Sequence, residues 1–158
     1  MAKNSVFLSL ILSLVVFVAL GDLQAGERFL DNGDGTVTDT LTRLMWAKED
    51  NMGDIDWQDA KIYCRHPPIA GYKYTDWRMP TIEELKALYD KDASGNETTC
   101  GLRVKIYPPF ALSCAWVWAS DTKAISAYAF SFRKGYPYST LRMNKKSFRA
   151  LPVRDQKP

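Results

Sequence analysis

The chain has 158 residues, a formal net charge of +3 and 13% aromatic residues. That length supports one domain with a real core, and the wealth of Trp, Tyr and Phe excludes a disordered chain. One histidine and three cysteines with no zinc-type spacing argue against a zinc centre or a His-based catalytic pair.

Lys3 gives a positive start, and Val6 to Leu20 is apolar apart from Ser9 and Ser13. Small residues follow at Gly21 and Ala25. This is the layout of a secretory signal peptide over residues 1–25, with cleavage after Ala25 or after Gly21. The rival is an uncleaved anchor, but a span needs about 20 apolar residues and this run is shorter. No Cys follows the run to accept a lipid. The expected mature domain is 26–158, in the periplasm, outside the cell or at its surface, with no membrane span after cleavage. An exported chain can keep disulfides. Cys100 and Cys114 flank a Pro-Pro loop and are the expected bridge. Cys64 reads as a small buried apolar residue; the other reading is a reactive or intermolecular thiol.

The first predicted elements are Phe29-Leu30, a turn over Asp31-Asn32-Gly33-Asp34-Gly35-Thr36, a short strand at Val37-Thr38-Asp39 and a strand around Trp46. The Asp/Asn/Gly turn offers hard oxygens of the kind calcium takes. Its twelfth position, however, is Thr42 instead of a bidentate Glu, so it reads as a turn and not as a metal site. Asp56 then caps a helix in which Trp57, Ala60, Tyr63 and Cys64 recur at helical spacing, from Trp57 to Arg65. It stops before Pro67-Pro68. The lone His66 sits at that helix end, where it can interact with the dipole.

Asp76-Trp77-Arg78-Met79-Pro80-Thr81-Ile82-Glu83-Glu84-Leu85 opens the second helix. Thr81 and Glu84 form a capping box. Ile82, Leu85, Leu88 and Tyr89 form one apolar face, which predicts a helix from Ile82 to Tyr89. Trp77 anchors the start to the core, and Asp76 with Arg78 is expected as a partly buried ion pair. A polar loop follows from Asp92 to Gly101. Asn96-Glu97-Thr98 matches a glycosylation sequon, relevant only to a eukaryotic secretory route. The last third reads as strands at Ala115–Ser120, Ala127–Phe132 and Ser147–Arg154. Tyr128, Phe130 and Phe132 share one face, and Ala127, Ala129 and Ser131 the other. Pro152 places the last strand at a sheet edge. The order predicts an α+β fold, a mainly antiparallel sheet with two flanking helices.

Several segments together carry a resemblance. They are Phe29 to Asp39, Leu44-Met45-Trp46-Ala47, Asp56-Trp57-Gln58-Asp59-Ala60 with Tyr63-Cys64, Gly71-Tyr72, Asp76 to Thr81 with Glu84-Leu85, Trp118-Ala119-Ser120 and Arg149 to Arg154. In this order the chain resembles the Lcl C-terminal domain family, named after the tail domain of a bacterial collagen-like adhesin. The resemblance implies a C-type-lectin-like fold related to formylglycine-generating enzymes, in which the first and last strands pair. It implies an exported bacterial protein and brings no catalytic residue set. The chain departs from the family pattern at Lys73-Tyr74 and between Cys100 and Cys114. The paired segments of calcium-dependent sugar-binding lectins are absent, so the likeness to lectins concerns fold alone.

Charge is uneven. Between Gly26 and Asp59 there are nine acids against three bases, while Arg133 to Pro158 has eight bases against Asp155. Tyr136, Tyr138 and Phe148 are interleaved with the bases. Such a surface suits an anionic glycan or an acidic protein; alternatively the two chain ends pair their charges. Export takes nucleic acid out of reach. The tryptophans read either as sugar-stacking platforms or as core, and Trp116 and Trp118 point the same way from one strand. The candidate binding residues are Trp116, Trp118, Arg133, Tyr136, Tyr138, Arg142, Lys145 and Lys146. The expected function is an exported, non-enzymatic binding module without cofactor or metal, for an unknown glycan or protein. The alternatives are a formylglycine-type cysteine and copper oxidase and a structural subunit of an envelope assembly.

Overall fold

A computed structural model describes residues 27–156; the predicted signal peptide lies outside them. The strands are β1 (Phe29–Asp31), β2 (Thr36–Asp39), β3 (Leu44–Ala47), β4 (Asn96–Glu97), β5 (Arg103–Val104), β6 (Trp116–Lys123), β7 (Ser126–Ser131), β8 (Tyr136–Leu141), β9 (Phe148–Arg149) and β10 (Val153–Asp155). The helices are α1 (Trp57–Arg65) and α2 (Ile82–Lys86), with a 3₁₀ turn at Ala70–Tyr72. The class is α+β, with two four-stranded sheets in the orders β1-β2-β3-β10 and β8-β7-β6-β9 and the small pair β4-β5.

The Gly-rich turn makes the first hairpin by local hydrogen bonding. Asp31 Oδ1 accepts from the Gly33 amide, and Asp34 Oδ1 accepts from both the amide and the hydroxyl of Thr36. Gly33 and Gly35 adopt φ values of 75° and 85°, which glycine reaches without a Cβ penalty. β3 then places Trp46 in the core at 1% exposure.

The sheet containing β6 and β7 separates two apolar clusters. Val117, Ala119, Phe130 and Phe132 enter the larger one with Trp46, Leu85 and Leu151. Trp118, Ala127 and Ala129 enter the other with Trp57, Ala60 and Cys64 of α1. The period-2 pattern of the Ala127 stretch therefore sends Phe130 and Phe132 to one core and Ala127 and Ala129 to the other. Burial on both faces explains why neither stretch reads as half polar.

Three expectations are corrected. α2 stops at Lys86 and does not reach Tyr89. Beyond it the chain tightens, with the Leu88 amide on Leu85 O and the Tyr89 amide on Lys86 O, and Tyr89 bridges to Ile106. Leu88 stays in the core without being helical. The stretch Ser147–Arg154 is two strands in two sheets: β9 runs parallel to β6, and β10 runs antiparallel to β3 with Val153 opposite Trp46. A straight strand cannot serve both sheets, so the chain crosses between them at Ala150-Leu151-Pro152, where Leu151 plugs the larger core. Finally, β10 joins the N-terminal sheet beside β3, not beside β1.

The Asp76–Leu85 segment sits against that last strand. Arg78 and Val153 exchange backbone hydrogen bonds at 2.8 and 3.0 Å. Asp76 and Arg78 do not pair with each other. Asp76 binds Arg154 (2.7 Å), whose guanidinium also lies 4.1 Å from the Tyr74 ring centroid. Arg78 makes a forked contact to Glu84 at 2.7 and 2.9 Å and reaches Asp155 at 3.0 Å. The last strand supplies each of them with a partner of opposite charge, Arg154 for Asp76 and Asp155 for Arg78. The Thr81–Glu84 capping box is present in both halves.

Candidate functional site

The two helices and β6 enclose a cleft of about 590 Å³. Trp57, Lys61 and Arg65 reach it from α1, where spacing i, i+4, i+8 puts them on one helix face. Opposite stand Trp77, Arg78 and the start of α2, with Ser120 and Thr122 from β6 and Arg142 closing one end. The walls are tied at several points. Trp57 Nε1 donates to Ala119 O (2.8 Å), Trp118 Nε1 donates to Ile55 O (2.9 Å), and the Ser120 amide donates to Pro80 O (2.8 Å).

The electrostatics of this cleft divide into a settled pair and a free set. Glu84 is occupied by Arg78 and by the Thr81 amide. Burial works to raise the Glu84 carboxyl, and the Arg78 bond and cap amide outweigh it, holding it below the usual carboxylate range. Lys61, Arg65 and Arg142 have no carboxylate within salt-bridge distance among the described residues. Arg142 is nonetheless fixed: it donates to Ala124 O (2.9 Å) and Ser126 O, and its guanidinium carbon is 4.8 Å from the Trp57 ring centroid. The Lys61 ammonium lies 5.2 Å from the same centroid. Trp57 thus steers cations into the cleft. At 7% exposure its ring is not open for stacking a sugar.

The eight candidate residues from the sequence do not form one surface. Trp118 is fully buried, stacked on Phe148 at 4.3 Å, and has no open face for a ligand. Trp116 is half-buried and meets Tyr138 at 5.2 Å and Tyr136 at 6.1 Å, so these three form an aromatic group beside the edge strand β8. Arg142 belongs to the cleft. Arg133 lines a separate cavity with Arg103 and Lys105. Lys145 pairs with Asp56 at 3.2 Å, while Lys146 is exposed near Asp54. Of the wider basic segment, Arg149 binds Asp54 at 2.8 Å and Ser113 Oγ at 2.6 Å. The Arg149 bond, with the Ser147 amide, holds the Asp54 carboxyl low. Part of the basic C-terminal segment therefore does pair with the acidic N-terminal one. Lys61 and Arg65 escaped the sequence reading because their signal is a spacing that aligns two cations with Trp57 on one helix face.

Cys100 and Cys114 form a disulfide with Cα atoms 5.4 Å apart. Cys64 is buried, and that burial pushes its thiol well above the ordinary range. The Asp31 carboxylate is engaged by Lys48 at 2.7 Å and by the Gly33 amide. Among the described residues no group of His, Cys, Asp and Glu is placed to hold a metal ion. No helix among them is long and apolar enough to cross a membrane.

The model of the Lcl C-terminal domain matches residues 35–154, which takes in both helices, the cleft and the strands from β2 onward, with β1 lying before the match. The chain belongs to the Lcl C-terminal domain family. No curated protein matches it. Within this Lcl C-terminal domain, the disulfide fits an exported protein.

Proposed function

We propose that this Lcl C-terminal domain is an exported, non-enzymatic recognition module that binds an anionic glycan in the cleft between α1 and α2. The observation that carries the reading is the convergence of Lys61, Arg65 and Arg142 on one cleft whose carboxylate, Glu84, is taken by Arg78, none of the three having an ion pair among the described residues. In the basic segment Lys145, Arg149 and Arg154 are already paired with Asp56, Asp54 and Asp76, whereas Arg142 keeps its charge for the cleft. Forked guanidiniums suit carboxylate and sulfate groups. The shielded indole of Trp57 favours recognition by charge over recognition by stacking. Binding is favoured over cysteine and copper chemistry because two cysteines are spent in a disulfide and the third is buried. The C-type-lectin-like reading of the fold goes with this proposal, supported by the return of β10 to the N-terminal sheet and by the two flanking helices.

The test is a glycan array carrying sulfated, carboxylated and neutral chains, probed at low and physiological salt. Binding to the anionic chains is expected, weakening with salt as exposed charges are screened. Lys61→Ala with Arg65→Ala should weaken it by about tenfold or more without loss of folding. No signal at low salt, or equal binding to neutral chains, defeats the proposal.

A further inference from the structure

A second cationic cluster lies away from the residues of that cleft. The chain from Arg103 to Ile106 is extended. Val104 and Ile106 turn into the core at 2% and 3% exposure, which leaves Arg103 and Lys105 on the outer side. The Lys105 amide donates to Phe132 O at 2.7 Å, which draws the turn after β7 alongside and brings Arg133 to the same place. The three cations line a cavity of about 300 Å³ whose remaining wall is the Ser94-Gly95 and Gly101-Leu102 loops.

The loop is shaped to these side chains. Gly95 has φ 87°, and a Cβ there would meet Val104 O at 3.4 Å and the stems of Arg103 and Lys105 at 3.6 and 3.7 Å. Arg103 Nη2 donates to Gly95 O at 2.9 Å, and Lys105 Nζ donates to Lys91 O at 3.1 Å. Both cations are thus held in place by neutral carbonyls. Glu97 stands opposite Arg103 in the β4–β5 register but forms no ion pair with it. Three like charges around one concavity repel one another, and an anion between them reverses the sign of that energy.

We propose that Arg103, Lys105 and Arg133 form an oxyanion site for a sulfate or phosphate ester group, separate from the α1–α2 cleft. Two guanidinium forks and one ammonium supply more donors than the two oxygens of a carboxylate can accept, and the three terminal oxygens of a tetrahedral ester group use them better. The site does not depend on the glycan proposal.

The test is a titration of the folded, disulfide-bonded protein with sodium sulfate, phosphate, acetate and chloride at constant ionic strength, followed by amide NMR. Saturating shifts at Gly95, Gly101, Arg103 and Lys105 are expected with sulfate or phosphate, and the tighter of the two names the ester. Arg133→Ala should weaken this binding by about tenfold, with Arg133→Lys in between. Lys61→Ala with Arg65→Ala should leave it unchanged, which separates this site from the cleft. Linear shifts equal to those with chloride, saturation equally tight with acetate, or binding unaffected by Arg133→Ala overturns the proposal.

Discussion

Glu84 joins a helix cap to a long-range ion pair, and its replacement separates the two. Glu84→Ala removes the reach back to the Thr81 amide at 2.8 Å and both contacts to Arg78. A cap of this kind contributes about 1 kcal/mol, and a charge-assisted bond about 1.5–3 kcal/mol when well shielded. Arg78 is 37% exposed and keeps Asp155, so the second figure falls toward about 1 kcal/mol. The expected cost of Glu84→Ala is then about 2 kcal/mol, or a Tm lower by roughly 6–10 °C. Glu84→Gln keeps an acceptor for the cap and loses the charge, so about half that cost is expected. The pH dependence follows from the direction of the shift. The folded Glu84 carboxyl is held low, so its charge contributes stability above the usual carboxylate value, and that contribution is lost as pH falls through the lowered one. Urea unfolding of wild type, Glu84→Gln and Glu84→Ala at pH 7 and near pH 3 measures this. The wild-type advantage over Gln should shrink in acid. An equal advantage at both pH values, or equal costs for Ala and Gln at pH 7, refutes the reasoning.

Replacing Cys100 and Cys114 with serine should cost about 3 kcal/mol for a loop of this length, read from the urea midpoint against the oxidised protein. Cys64 should resist alkylation in the native protein and label fully only in denaturant, as mass spectrometry will register. Trp118→Ala should cost about 3–5 kcal/mol, because it empties the space between Phe148 and α1 and leaves Ile55 O without its donor. Arg149→Met should destabilise by about 2–3 kcal/mol by removing the donor to buried Ser113 Oγ. In that variant Asp54, half exposed, returns to water.

Short-range chemistry was legible because its causes lie within a few residues. Asp56 caps α1, Thr81 and Glu84 cap α2, and the helix Trp57–Arg65 ends as its spacing and Pro67 require. The Cys100–Cys114 bridge follows from two cysteines around one irregular loop. The Ala127–Phe132 alternation is legible as a strand, but the two cores it feeds are not, since a period of two names faces without naming what covers them.

The candidate sites lay further from sight. Arg133, Arg142 and Lys145 are close along the chain, yet the fold sends one to a cavity with Arg103, one to the cleft with Lys61 and one to Asp56. Their charges are the same in the sequence, and only the neighbours brought by other segments decide which are spent and which are free.

By itself, then, the sequence determined the α+β class and both helix starts, because periodicity, caps and turn residues act over one or two turns of chain; the ordered set of matching segments carried the family, and two cysteines around one loop the disulfide. The tertiary structure alone decided that Asp76 pairs with Arg154, that β9 and β10 belong to different sheets and that Trp118 is core. It also decided which cations stay unpaired. Those outcomes depend on contacts between segments many tens of residues apart, whose register is set by how the two cores close on each other.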